Sequence, residues 1–96
     1  MANFYETGST VTLRATFVDI SGTPTNTEDM PTVTIYDGNF RKINTLTATL
    51  ESTGNYKVDY LIPFGTTNSV YFYEFKGSLT GIIALNRDKF YARFGA

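Results

Sequence analysis

Asn55-Tyr56-Lys57-Val58-Asp59-Tyr60 carries the sharpest two-residue alternation in the chain. Successive side chains of a β-strand point to opposite faces, so Tyr56, Val58 and Tyr60 share one face while Lys57 and Asp59 share the other. The stretch reads as a strand that is dry on one side and wet on the other. Glu51-Ser52-Thr53-Gly54 turns the chain into it, and Pro63 with the Gly65 to Ser69 segment ends it in a loop.

The same pattern recurs on both sides. In Val11-Thr12-Leu13-Arg14-Ala15-Thr16-Phe17 the residues Val11, Leu13, Ala15 and Phe17 fall on one face. Glu6-Thr7-Gly8-Ser9 ahead of it is a turn, which leaves Asn3 to Tyr5 as a short edge strand. Asp19 to Pro31, broken by Gly22, Pro24 and Pro31, is the longest segment without a strand pattern. Thr32-Val33-Thr34-Ile35-Tyr36 follows as a strand with Val33 and Ile35 inward, and Asp37-Gly38-Asn39 offers residues that tolerate positive φ for a reversal. Alternation from Lys42 to Leu50 groups Leu46, Ala48 and Leu50 against Thr45, Thr47 and Thr49. Tyr71, Tyr73 and Phe75 then alternate with Phe72, Glu74 and Lys76, and Gly77 and Gly81 mark bends. Ile82 to Leu85 forms or flanks one strand, and Lys89-Phe90-Tyr91-Ala92-Arg93-Phe94 is the last.

Strands at intervals near a dozen residues, with no helical periodicity between them, define an all-β chain of sandwich or small-barrel type. The expected core is Val11, Leu13, Phe17, Val33, Ile35, Tyr56, Val58, Tyr60, Tyr73 and Phe90. Composition agrees: of 96 residues, 42% are apolar and 16% aromatic, with sixteen Thr, the branched and aromatic types that suit a pleated surface.

Composition also excludes whole classes of chemistry. The chain has no Cys and no His, which removes thiolate nucleophiles, imidazole bases, disulfides and zinc fingers. Eight basic against nine acidic side chains give a net charge of -1, so no positive field favours nucleic acid or an anionic membrane as a partner. The N-terminus lacks the basic and apolar regions of a secretory signal, and cytoplasmic synthesis is expected.

Several segments in this order resemble a known family. Tyr5-Glu6-Thr7-Gly8 before a strand, Asp19 with Gly22-Thr23-Pro24, Val33-Thr34-Ile35-Tyr36-Asp37, Thr53 to Tyr60 with Pro63, and a closing Phe90 to Phe94 strand are similar to the immunoglobulin-like modules of bacteriophage structural proteins and bacterial surface proteins. Gly54, Tyr56, Val58 and Tyr60 match the family's Gly-x-Tyr-x-Val-x-Tyr stretch, and Gly22 matches the glycine of its Asp-x-x-Gly-x-Pro loop. Where the family often carries Trp, this chain has Tyr73 or Phe75. The resemblance covers nearly the whole chain and implies a single domain over residues 1–96, an immunoglobulin-like or fibronectin-like β-sandwich of about seven strands. It further implies a non-enzymatic structural or attachment protein of a virion, such as a capsid decoration or tail-associated protein, made in the host cytoplasm. Catalytic residues and cofactors are not part of the family pattern.

Individual residues also admit plainer roles. Tyr56, after Gly54, is either a tyrosine corner, its hydroxyl bonded to nearby backbone, or a plain core aromatic. Asp19, Glu28, Asp29 and Asp37 match no calcium loop and read as solvated loop carboxylates rather than a metal site. Asp59 and Glu74 lie on polar strand faces and imply no glycosidase cleft. Arg14, Arg41, Lys42, Arg87, Lys89 and Arg93, interleaved with acids, read as ordinary surface charge. The informative residues are large aromatics on nominally outward faces: Phe72, Tyr91 and Tyr36, together with Phe4 and Tyr5 on an edge with no intervening charge. Phe4, Tyr5, Phe72 and Tyr91 are the interface candidates. Their expected partners are other virion or surface-assembly proteins, copies of the chain included; the alternative is a carbohydrate-binding module that stacks sugar rings on exposed aromatics, which the absence of Trp disfavours.

Overall fold

The computed structural model describes residues 4–63 and 69–95. Eight strands follow one another in these residues: β1 (Phe4–Glu6), β2 (Thr10–Thr16), β3 (Thr32–Tyr36), β4 (Lys42–Thr47), β5 (Thr49–Ser52), β6 (Asn55–Leu61), β7 (Ser69–Leu79) and β8 (Ile82–Arg93). They form a five-stranded sheet in the order β1-β8-β7-β3-β4 and a three-stranded sheet in the order β2-β6-β5. Every pairing is antiparallel except that of β1, which runs parallel to β8 with Phe4 opposite Tyr91.

The alternation read from residues 55 to 60 is what the sheets use. Tyr56, Val58 and Tyr60 of β6 are buried opposite Ala15, Leu13 and Val11 of β2, while Asp59 is exposed. On the wet side Thr12 donates its hydroxyl to Asp59 Oδ1 at 2.7 Å. Arg14 stands directly opposite Lys57, an unfavourable like-charge pair, and its guanidinium turns to Glu51 at 3.2 Å instead. The inner faces of both sheets meet in one apolar cluster that holds all ten expected core residues, together with Ala48, Ile62, Tyr71, Phe75 and Ala92. Phe75 and Phe90, at 0% and 1% exposure, bring two fully buried rings of the five-stranded sheet into that layer.

Three readings of the strand pattern require correction. The run from Lys42 to Leu50 is two strands: β4 belongs to one sheet and β5 to the other, and the chain crosses at Ala48, whose N–H donates to Pro31 O. Alternation cannot register that change of sheet, and Leu50 is consequently 42% exposed at the rim rather than buried with Ala48. Ile82 to Leu85 and Lys89 to Arg93 are one unbroken strand, which ends before Phe94, an exposed turn residue. Gly77 is no bend but lies inside β7. The reversal falls at Thr80-Gly81, both with positive φ, closing a hairpin that pairs Ser69–Leu79 with Ile82–Arg93. The loop expected from Gly65 to Ser69 lies outside the described residues except for Ser69, as does Asn3 at the start of the expected edge strand.

The segment from Asp19 to Pro31 lacks strand pairing beyond one bridge, Val18 to Pro24, yet it is tied down along its length. Asp19 accepts the N–H groups of Ser21 and Thr23, Asn26 Oδ1 accepts Gly54 N–H at 2.8 Å, and Thr25 N–H donates to Phe17 O. At its centre Thr27 is the one buried polar residue among those described, and its N–H donates to the Tyr56 hydroxyl at 2.9 Å. Tyr56 thus does bond backbone, but 29 residues upstream, pinning a loop over the end of the sandwich. Removing that hydroxyl in Tyr56→Phe strands a buried N–H, which costs ~1–3 kcal/mol. Denaturant titration should read that loss with an unchanged slope, and faster amide exchange at Thr27 should accompany it.

Candidate functional site

A cluster of aromatic side chains lies on the outer face of the five-stranded sheet. Cross-strand register sets Lys89, Phe72 and Tyr36 in one row and Arg87, Glu74 and Thr34 in the next. Phe4 and Tyr91 stand opposite one another toward the β1 edge. Phe4, Phe72 and Tyr91, three of the four interface candidates, therefore share this face. Tyr5 does not: strand alternation turns it inward, where its ring meets Phe90 edge-on at 5.9 Å.

The turn from β3 to β4 adds a residue that sequence reading missed. Phe40, 68% exposed, has φ of 61° and stacks on Phe72 with ring centroids 4.5 Å apart and planes 22° off parallel. A bulky side chain in the left-handed region is costly, so the surroundings must impose it. Asp37 does so. Its carboxylate accepts N–H bonds from Asn39 and Arg41 and pairs with the Arg41 guanidinium at 3.0 Å, while its backbone pairs with Phe40 N–H and Arg41 O. The ladder slips by one residue beyond this turn, with Tyr36 opposite Lys42 and Ile35 opposite Asn44. The positive φ was expected within Asp37-Gly38-Asn39, yet it falls on Phe40, and only the closed turn reveals where that ring points.

Phe40, Phe72 and Tyr36 line an open groove of about 520 Å³ whose other walls come from Tyr73, Glu74, Arg87, Asp88 and Lys89. Arg87 and Glu74 are paired at 2.7 Å, with Glu74 largely shielded. Beside the groove Lys89 Nζ lies 5.9 Å from the Tyr91 ring centre, and the Arg93 guanidinium sits 3.8 Å over Phe4. Cations over aromatic faces attract the ring quadrupole, worth ~0.5–1 kcal/mol at exposed sites.

The ionisable groups serve the fold. Hydrogen bonds from Arg41 N–H and Asn39 N–H, with the Arg41 charge, hold the Asp37 carboxyl below its ordinary range, and the Ser78 hydroxyl with Gly81 N–H does the same for Glu28. Burial, then the nearby Asp88 charge, pushes the Tyr73 hydroxyl up to about 12 from an ordinary 10.0. Folded protein therefore keeps a proton that the unfolded chain releases above pH 10.0, so this contribution to stability is intact below that pH and lost as pH rises toward about 12. The melting temperature should fall over that alkaline window, and Tyr73→Phe should flatten the fall.

The remaining candidates do not assemble into sites. Asp59 and Glu74 lie on the outer faces of different sheets, one held by Thr12 and the other by Arg87. Asp19, Glu28 and Asp37 each close a separate piece of backbone, and among the described residues no group of three or more His, Cys, Asp or Glu is placed to hold a metal ion. Of the six basic candidates, Arg14 lies on the three-stranded sheet, Arg41 in the turn before β4, and Lys42, Arg87, Lys89 and Arg93 on the five-stranded sheet, with Arg14, Arg41 and Arg87 paired to acids. No family model, curated protein or solved structure matches the chain.

Proposed function

We propose that the chain is a non-enzymatic structural or attachment module of immunoglobulin-like type that binds protein through the outer face of its five-stranded sheet, as a capsid decoration or tail-associated component of a virion would. Strand order supports the fold type: β2-β6-β5 corresponds to strands B, E and D of an immunoglobulin sandwich, and β8-β7-β3 to G, F and C. The observation that carries the functional reading is Phe40. Backbone strain of ~1–2 kcal/mol is retained to hold an exposed ring over Phe72, and strain of this kind collects where a molecule meets its ligand. Paired aromatics beside an Arg–Glu pair whose carboxylate is largely shielded also have the make-up of an interface hot spot. A sugar is the weaker fit, because Phe72 gives its face to Phe40 and no flat row of rings is left among the described residues.

Phe40→Gly separates function from folding. It relieves the left-handed strain while losing a stacking contact of ~0.5–1.5 kcal/mol, so stability should change by less than about 1 kcal/mol. Co-sedimentation with the native particle should fall at least tenfold for Phe40→Gly and for Phe72→Asp. Unchanged attachment of both variants would remove this face from the proposal, and binding of the wild type to glycans in place of particles would favour the carbohydrate alternative.

A further inference from the structure

The β7–β8 hairpin carries a second apolar surface, separate from the groove. Ile82, Ile83 and Leu85 of β8 are exposed at 69%, 62% and 44%, an unusual concentration for one strand. The β7 side of the hairpin end is closed: Glu28 N–H donates to Ser78 O, and the Glu28 carboxylate accepts the Ser78 hydroxyl and Gly81 N–H. The β8 side is open. Among the described residues β1 covers β8 only from Tyr91 to Arg93, so the ladder edge from Ile82 to Arg87 has no strand beside it. Such an edge, long and apolar, is a template for strand addition.

We infer that this edge pairs with the same edge of a second copy, antiparallel about a two-fold axis at Ala84, so that the two five-stranded sheets run on as one. The charges disfavour registers shifted toward the C-terminus, and a shift toward the Thr80-Gly81 turn shortens the ladder to residues 82–84. A two-fold axis normal to the sheet keeps the faces of both copies aligned, so residues of like parity pair. Centred on Ala84, the ladder sets Ile83 against Leu85 and Ile82 against Asn86, apolar against apolar or uncharged. Shifted by one step toward the C-terminus, Ile83 faces Arg87 and Ile82 faces Asp88. Centred on Asn86, Leu85 faces Arg87 and Ala84 faces Asp88, and beyond that Arg87 faces Arg87 or Asp88 faces Asp88, which like-charge repulsion opposes. The length fits too: in the Ala84 register the partner's Thr80-Gly81 turn falls beside Asp88 and Arg87, short of Tyr91, where β1 begins. A ladder of this length buries less than a standard interface, so the pairing is weak in solution and gains strength where many copies are held together.

The chain has no cysteine, so a single introduced thiol reports cleanly. Residues directly opposite across an antiparallel pair have Cα atoms ~4.5–5.5 Å apart, within disulfide reach. Under mild oxidation Ala84→Cys should form a covalent dimer at least ten times faster than Thr47→Cys, which sits on the opposite sheet edge. The wild type should show a concentration-dependent rise in mass above 10.7 kDa by light scattering. Ile83→Lys combined with Leu85→Lys, at exposed positions, should abolish that rise with the circular dichroism unchanged. Equal cross-linking of the two cysteine variants, or a monomeric wild type at millimolar concentration, overturns the inference. These readings use isolated protein and residues outside the groove, so they succeed or fail independently of particle attachment.

Discussion

Val58→Asp should lower the melting temperature by more than ~10 °C. Val58 is 9% exposed in the middle of β6, opposite Leu13 and flanked on the same face by Tyr56 and Tyr60. Among the described residues no charged side chain is buried, so the new carboxylate must either stay ionised without a buried partner or take up a proton in an apolar layer. An uncompensated buried charge costs ~3–5 kcal/mol, against a total stability of about 5–15 kcal/mol for a domain. One residue away the effect is small. Lys57 faces Arg14 on the wet side, so Lys57→Thr removes a like-charge pair and should change stability by no more than ~0.5 kcal/mol. Thermal and denaturant unfolding of the two variants therefore tests the register of the whole three-stranded sheet. Retained cooperative melting of Val58→Asp near the wild-type temperature would refute it.

That contrast between neighbouring positions marks where the sequence is legible. Period-two alternation is written wherever a strand has one dry face and one wet face, so β2, β3, β6 and the inner rows of β7 could be read from residue types. The same signal is blind to which sheet a strand joins. Thr45, Thr47 and Thr49 alternate without interruption through Ala48, although the chain leaves one sheet and enters the other there. It is blind as well to strand length where polar residues occupy both faces: Asn86, Arg87 and Asp88 look like a loop between two strands but are the middle of β8. In that strand Asn86 on the inner side is satisfied by donating to Thr16 O at 2.8 Å, a contact between residues 70 apart that no local pattern records.

The outer-face site was legible in part for a related reason. Phe72 and Tyr91 could be assigned outward because each lies between buried neighbours in its own strand. Phe4 and Tyr5 could not be separated, since a three-residue strand has too little alternation to show which of two aromatics turns in. Phe40 was invisible because its position depends on how Asp37 closes the turn, and the side-chain bonds that close it leave no periodic trace. Sequence reading thus located the sheet that carries the groove but not the ring that completes it.

Gly54→Ala should cost more than any other substitution of similar size. Gly54 has φ of +75°, a conformation that costs a residue with Cβ ~1–2 kcal/mol. Space forbids it independently. A methyl group there would stand 2.7 Å from Thr25 N, 2.8 Å from Phe17 O and 2.9 Å from Pro24 Cβ, and two of these atoms are backbone held by the Thr25 to Phe17 hydrogen bond. They cannot swing aside as a flexible side chain would, so the loop must lift, and lifting it strains the bonds from Gly54 N–H to Asn26 and from Phe17 N–H to Gly54 O. Overpacking of this kind adds ~1–3 kcal/mol, for a total of ~2–5 kcal/mol. At Gly77 the nearest obstacle, 2.5 Å away, is Thr27 Cγ2, the end of a side chain, and φ lies outside the left-handed region. Gly77→Ala should therefore be the milder of the two, and Thr27→Ser, which removes that methyl, should restore most of its loss without helping Gly54→Ala. Denaturant midpoints for the three variants and the Gly77→Ala/Thr27→Ser pair measure this directly. Equal losses at both glycines would mean that the loop from Asp19 to Pro31 is not seated on the sandwich as its hydrogen bonds require.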